Sequence, residues 1–274
     1  MSEYYKGESD VAGDFGIRPI APVQAGKYEV RLARTPEEVA AAQKLRYRVM
    51  YQEKGGRPDL QKVKLEADVD QWDERAFHII VVEKDSSPVN VLGTLRLVSN
   101  LRLTSGQHFY TEEAFDLSGL RSAYTSMLEL GRFCIDANAR QGLILMLIWK
   151  YAMQFIVDNR IEVMLGCASF PGTDVSRHAG VLAYLYRHNL APERLRPSPV
   201  VSNYVRIPDV VSDVPAFDEA TRDIPTLLRG YLKLGARISD TAIIDPIFNT
   251  TFICIYVDAR EMLSESTVLV TSRS

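Results

Sequence analysis

Glu129 and Arg132 stand three residues apart in an otherwise apolar run, MLELGRFCI, at 127–135. In an extended strand that offset sends two side chains to opposite faces, so at least one charge is expected to face an interior or a cleft. A charge there is costly unless it is paired or used. Two readings stand side by side. One is a structural ion pair. The other is a site, because burial raises a glutamate toward neutrality and makes it a base. Such a base suits acylation of an amine, where the ammonium must lose a proton, the oxyanion needs donors and a thiolate leaving group takes up a proton. Backbone amides of a widened strand near Arg132 to Ile135 could polarise the acyl carbonyl. Tyr184 or Tyr186 could protonate the thiolate, although tyrosines at such spacing read equally well as core.

Other chemistry-bearing residues carry a plainer alternative. Cys167, in GCASF with Ser169 close behind and His178 further on, invites a nucleophile reading. Nucleophilic catalysis needs a base placed in space, which proximity in sequence does not supply. A small residue under a ligand or in a packed strand is the simpler account of Cys167. His178, beside Arg177, suits a surface or capping role, and His78 in AFHIIV suits a satisfied strand histidine. Glu66, Asp68, Asp70 and Asp73 gather around Trp72. They could hold an ammonium, be ordered by arginines, or form a solvated loop. Arg187, Arg194, Arg196 and Arg206 face a single acid, Glu193, between Tyr186 and Arg206. That local basic surface suits an acidic partner or an anionic membrane face, or it is a solvated loop.

The elements that must position these groups follow from pattern. YEVRLA, 28–33, alternates as a strand. Thr35, Pro36, Glu37 and Glu38 read as a cap, a first-turn proline and first-turn acids of a helix running to about Met50, with Val39, Ala42, Leu45 and Val49 inward. Residues 52–75 are too charged for a core element and read as a long loop. AFHIIVVE (76–83) and VNVLGTLRLV (89–98) predict a hairpin. A short helix is expected near Thr111 to Phe115. The 127–135 strand, a helix over 141–159 and a strand over 162–168 then form a βαβ unit, and its strand ends are where α/β proteins bind ligands. Asp174 reads as the N-cap of another helix. Prolines between 192 and 215 mark irregular structure. A helix over 224–234 ends at Gly235, and 251–257 is a last strand. Residues 1–26 read as a flexible tail, 27–260 as a single domain and 261–274 as a second tail.

The 274 residues, 46% hydrophobic and 24% charged, have ordinary globular composition. No window approaches the ~18 apolar residues of a spanning helix, and the N-terminus carries acids where a signal peptide carries bases. Three cysteines, an odd number in apolar runs, fit free thiols of a reducing cytoplasm. Their spacing to the four histidines signals no metal site. A net charge of −3 gives no global attraction for nucleic acid. Neither a GxGxxG nor a P-loop signature occurs.

Longer strings carry a family resemblance. ELGRFCIDANAR at 129–140, GCASFPGTD at 166–174, LAYLYRHNLAP at 182–192 and LLRGYLKLGARISDTAIIDPIFNTTFICIYV at 227–257 resemble the bacterial L-ornithine N-alpha-acyltransferases, over roughly residues 28–258. That resemblance implies transfer of a 3-hydroxyacyl chain from acyl carrier protein to L-ornithine, giving lyso-ornithine lipid. More distantly, LRYRVM at 45–50, DQWD at 70–73, GTLRL at 93–97 and ELGRF at 129–133 are similar to blocks of acyl-homoserine-lactone synthases. The implied fold is α/β: a GCN5-related N-acyltransferase-like three-layer sandwich with a central mixed, mostly antiparallel sheet. By these likenesses Glu129 and Arg132 fall on catalytic positions, Arg46, Asp70, Asp73, Arg96 and Ser169 on substrate-binding ones, and Arg140 and Gly142 on acyl-donor-binding ones. Arg96 and Arg132 would hold the ornithine carboxylate or pin the loop carrying Asp70 and Asp73. Met50 departs from the aromatic expected after Arg46. The turn Arg140-Gln141-Gly142-Leu143 has one glycine where relatives that grip a coenzyme A pyrophosphate have several. A phosphopantetheine thioester on acyl carrier protein, with no other cofactor, fits that thinner turn. The expected setting is cytoplasmic, peripheral at the inner membrane. A homoserine-lactone-type signal synthase, a lysine or glutamine acceptor, and a non-catalytic carrier-binding module remain alternatives.

Overall fold

The computed structural model describes residues 17–84, 86, 89–140, 142–210 and 224–262. Their strands, numbered along the chain, are β1 (Val23–Ala25), β2 (Tyr28–Leu32), β3 (Phe77–Glu83), β4 (Val91–Ser99), β5 (Phe115–Asp116), β6 (Met127–Ile135), β7 (Val163–Pro171), β8 (Ser198–Pro199), β9 (Tyr204–Arg206), β10 (Arg237–Asp245) and β11 (Thr250–Asp258). The helices are α1 (Pro36–Tyr47), α2 (Leu60–Leu65), α3 (Ser118–Ala123), α4 (Leu143–Asp158), α5 (Ala179–Asn189), α6 (Ile207–Val210) and α7 (Thr226–Lys233). The chain gathers into two compact units, one of residues up to 107 with 130–161, the other of 108–129 with residues from 162 onward.

In the first unit the strand order is β1-β2-β3-β4-β6, with β1 to β4 pairing antiparallel in turn. From Phe77 to Val82, β3 is buried on both faces, and period-2 alternation divides its side chains. Ile80 and Val82 pack with Ala42, Leu45 and Val49 of the α1 segment. Phe77 meets Phe155 of α4 at 5.4 Å between ring centroids. Helix, sheet and helix are therefore stacked here as three layers. The start of α1 follows its sequence: Thr35 Oγ1 accepts from the Glu38 amide at 3.3 Å and Pro36 occupies the first turn. Past Tyr47 the helix widens into a π-helical stretch, Arg48–Glu53.

The second unit orders its main strands β6-β7-β11-β10-β9. Met127–Glu129 of β6 pairs parallel with Val163–Leu165. β7 runs antiparallel to β11 along its whole length, and β11–β10 and β10–β9 are antiparallel as well. The sheet is mixed and mostly antiparallel, as expected.

Three differences from the sequence reading have local causes. Residues 17–25, expected within the tail, are held: Ile17 is buried, the Tyr151 hydroxyl donates to the Ile20 carbonyl at 3.0 Å, and Gly26 at φ +57° turns β1 onto β2. Residues 1–16 and 263–274 of the two tails lie outside the described residues. The 52–75 loop contains α2, capped by Asp59 accepting from the Lys62 amide at 2.8 Å. β10 went unread because its alternation breaks at a bulge between Ile238 and Ala242, where the Cys254 amide donates to Ser239 Oγ at 3.2 Å. Among the described residues no helix is long and apolar enough to cross a membrane.

Candidate active site

The charged residues of the first unit converge on the loop that follows α2. Arg46, fully buried on the inner face of α1, donates from Nε to Asp68 Oδ2 at 2.8 Å, and from Nη1 and Nη2 to the two Asp73 oxygens at 2.8 and 3.0 Å. Arg96 of β4 donates from Nη1 to Asp70 at 2.5 Å and to Asp73 at 3.0 Å. Arg132 of β6 reaches Asp68 at 3.0 Å and Asp70 at 2.9 Å. Three guanidiniums thus face three carboxylates, and each charge is matched, which is what makes such burial tolerable. Tyr51 donates to Asp68 Oδ1 at 3.0 Å, and Gln43 to Asp73 at 3.0 Å.

Burial opposes ionisation of Asp68, but Arg132 and Arg46 outweigh it and hold its carboxyl down at about 2. Asp73 is likewise penalised by burial, yet Arg46 and Arg96 keep it well below the usual carboxylate range. His78 goes the other way. Burial and the neighbouring Arg46 lower its imidazole to about 4 despite Asp73. Its Nε2 lies 3.2 Å from the Asp73 carbonyl oxygen, which can only accept, so Nε2 carries the proton. Nδ1 has no hydrogen-bond partner among the described residues.

Arg132 also carries a backbone signal, φ +54°, rare for a residue with a Cβ. That kink breaks the alternation of β6, so counting residues from Glu129 to Arg132 does not assign their faces.

Glu129 belongs to the second unit and is buried. Its Oε2 accepts from the Tyr110 amide at 3.0 Å, and its Oε1 from the Thr111 amide and hydroxyl, both at 2.6 Å. The turn Tyr110–Glu113, expected as a short helix, thus presents its first amides to a carboxylate, as helix starts do. Cys167 Sγ lies 3.6 Å from Thr111 Oγ1. The same hydroxyl donates to Glu129. Ser169, two residues along β7 on the same face, is exposed.

The remaining candidates fall elsewhere. Gly142, at φ +88°, caps α4, a conformation that favours glycine. Arg140 donates to the Ile135 carbonyl at 3.2 and 3.1 Å and pairs with Glu53. Gln141 lies outside the described residues. Tyr184 stacks on His188 at 4.6 Å. Asp174 caps a 3-10 turn that leads into α5, rather than α5 itself, and His178 Nε2 meets the Pro171 carbonyl at 2.8 Å. Arg187, Arg194 and Arg206 are exposed, while Arg196 is turned inward to the Ala191 carbonyl at 3.0 Å and lies 3.7 Å from Asp240. Among the described residues no cluster of three or more His, Cys, Asp or Glu could hold a metal ion.

Sequence reasoning missed the centrality of Asp68 and the partnership of Thr111 with Glu129. Asp68 had a signal, an acid two residues before DQWD within a segment otherwise matched to arginines. Thr111 had only the expected helix start.

The class of the fold is GNAT: residues 45–150 match the family described as "Acetyltransferase (GNAT) domain". The chain belongs, more narrowly, to the L-ornithine N(alpha)-acyltransferase family. It is 32% identical to the L-ornithine N(alpha)-acyltransferase of Rhodobacter capsulatus over 90% of this chain and 95% of that one. It is also 32% identical to the Agrobacterium fabrum protein of the same name, over 84% and 80% of the two chains. A solved N-acyl amino acid synthase from uncultured soil microbes aligns over 89% of this chain and 95% of its own, at 12% identity and a TM-score of 0.43.

Proposed function

We propose that this enzyme transfers a 3-hydroxyacyl chain from the phosphopantetheine arm of acyl carrier protein to the alpha-amine of L-ornithine, giving lyso-ornithine lipid. The acceptor comes from the name shared by its relatives. One observation carries the chemistry: a buried carboxylate, Glu129, fixed by the Tyr110 and Thr111 amides and the Thr111 hydroxyl.

The alpha-amine attacks the thioester carbonyl, and a C–N bond forms as an ammonium proton passes to Glu129 through a water. The tetrahedral intermediate collapses, the C–S bond breaks, and the pantetheine thiolate takes up the proton that Glu129 accepted. Arg46, Arg96 and Arg132 serve as framework: their guanidiniums are already matched by Asp68, Asp70 and Asp73, which favours pinning of the loop over capture of the ornithine carboxylate. Ser169, exposed on the Cys167 face of β7, is assigned to the acceptor. Arg140 and the first amides of α4 behind Gly142 are assigned to the phosphate of the arm. The exposed Arg187, Arg194 and Arg206 suit an acidic carrier protein. A lipidic product suits an enzyme that works at the periphery of a membrane.

Purified protein is to be assayed with 3-hydroxyacyl carrier protein and ornithine, lysine, glutamine or S-adenosylmethionine, read by mass spectrometry. Acylated ornithine is the expected product. Product only with another acceptor, or none, overturns the reading. Glu129→Gln is expected to lower kcat about 100-fold, the scale of one general base; unchanged turnover across the pH range removes Glu129 from that role.

A further inference from the structure

Helix α2 buries none of its own residues. Leu60 is 89% exposed, Val63 48% and Leu65 47%, so three aliphatic side chains of one short helix are given to solvent. A six-residue helix has little stability of its own. This one is closed at both ends, by Asp59 at its start and by Glu66 in the left-handed conformation at its end. Such a helix, held in place while burying nothing, presents its side chains outward. The charges around it lean basic once their pairs are counted. Between residues 53 and 66 stand Lys54, Arg57, Lys62 and Lys64 against Glu53, Asp59 and Glu66. Glu53 is taken up by Arg140 and Asp59 by Lys62, which leaves Lys54, Arg57 and Lys64 against Glu66.

We propose that the segment from Lys54 to Leu65 docks the enzyme on an anionic lipid surface. Leu60, Val63 and Leu65 enter the boundary between headgroups and acyl chains, and the basic residues meet lipid phosphates. Two features favour lipid over a macromolecular partner. A second copy would bring its own basic segment against this one, like charge on like. An acidic protein would answer the lysines but offers no general reason for an almost fully exposed leucine, whereas an acyl layer accepts aliphatic side chains of any shape. The proposal deepens the reading of this enzyme as one that makes a lipid. Docking itself stands on exposure and charge, so it can fail or survive independently of acyl transfer.

The test is co-sedimentation of the full-length protein with vesicles of phosphatidylcholine alone and of phosphatidylcholine with phosphatidylglycerol. Binding is expected only with the anionic lipid and is expected to weaken as salt is raised. The variant Leu60→Ser, Val63→Ser, Leu65→Ser should bind at least about tenfold more weakly, the scale of withdrawing three aliphatic side chains from lipid. Replacing Lys54, Arg57, Lys62 and Lys64 by Gln should abolish the preference for phosphatidylglycerol. Ile247→Ser, which removes an aliphatic side chain 58% exposed in another part of the chain, should bind as wild type. Equal binding to both vesicles, a triple-serine variant that still binds, or equal loss in Ile247→Ser each overturns the assignment. So does loss of self-association or of carrier-protein binding by the triple-serine variant with vesicle binding intact. Acyl transfer from soluble donor to ornithine, measured on the same samples without vesicles, should be unchanged in the triple-serine variant. Vesicle binding by a wild type that acylates no amino acid leaves the docking surface standing and removes only the proposed reaction.

Discussion

Asp68 is where the first unit's charges depend most on one another. It accepts from Arg46, Arg132 and Tyr51 and has no exposed surface. Removing it leaves two buried guanidiniums short of a counter-charge, so Asp68→Ala is expected to cost about 3–5 kcal/mol in urea unfolding. Glu74→Ala, at an exposed acid in the same loop, should stay within about 0.5 kcal/mol. His78 makes a pH prediction with a defined sign. Its folded value of about 4 lies below the ordinary 6.5, so between those limits the unfolded chain binds a proton that the folded chain refuses. Stability is then full above pH 6.5 and falls as the pH drops toward 4, by about 3 kcal/mol for a group this buried. Asp68 contributes in a lower window, its stabilisation being lost only as the pH falls from 3.8 toward about 2. Unfolding free energy measured from pH 7 to 4 should show the slope in wild type. His78→Leu should lose it.

At the scale of elements, one contact between β4 and α4 is tight enough to test. A Cβ built on Gly93 would lie 2.6 Å from Ile144 Cγ2 and 2.9 Å from Ile148 Cδ1. Gly93→Ala should therefore cost about 1–3 kcal/mol by overpacking. Combined with Ile144→Ala it should cost less than the sum of the single changes, a coupling that a thermodynamic cycle reads directly. The glycine was visible in GTLRL, but nothing local announces what packs on it. Legibility elsewhere divides along the same line. α1, the β3–β4 hairpin, α4 and β11 were readable because each repeats its own period and ends on a cap or turn residue, and β6 was readable as an apolar run despite its kink. β10 was not, because its bulge breaks the period, and β1 was not, because three residues carry no period. The site was legible in part for the same reason. Charged residues inside apolar runs, Arg96, Glu129 and Arg132, stand out by type, and family strings added Arg46, Asp70 and Asp73. Which carboxylate each arginine takes, and that backbone amides of a distant turn hold Glu129, depends on tertiary packing that no spacing rule encodes.

Over the whole molecule, charge is distributed against its own average. A chain of net charge −3 keeps Arg187, Arg194 and Arg206 exposed, where an acidic carrier protein would find them. Exposed charges of this kind steer encounter and set salt dependence more than they set the chemical step. Arg187→Ala, Arg194→Ala and Arg206→Ala combined should thus raise KM for the acyl carrier protein donor about tenfold at low ionic strength, with kcat unchanged. The effect should shrink as salt shortens the screening length to about 8 Å and below. A short acyl-pantetheine thioester, which carries the reacting group without the protein, separates steering from catalysis: its KM should not respond to these substitutions at any salt. If kcat falls with both donors, the arginines belong to the reacting centre. If neither donor responds, the carrier protein approaches another surface.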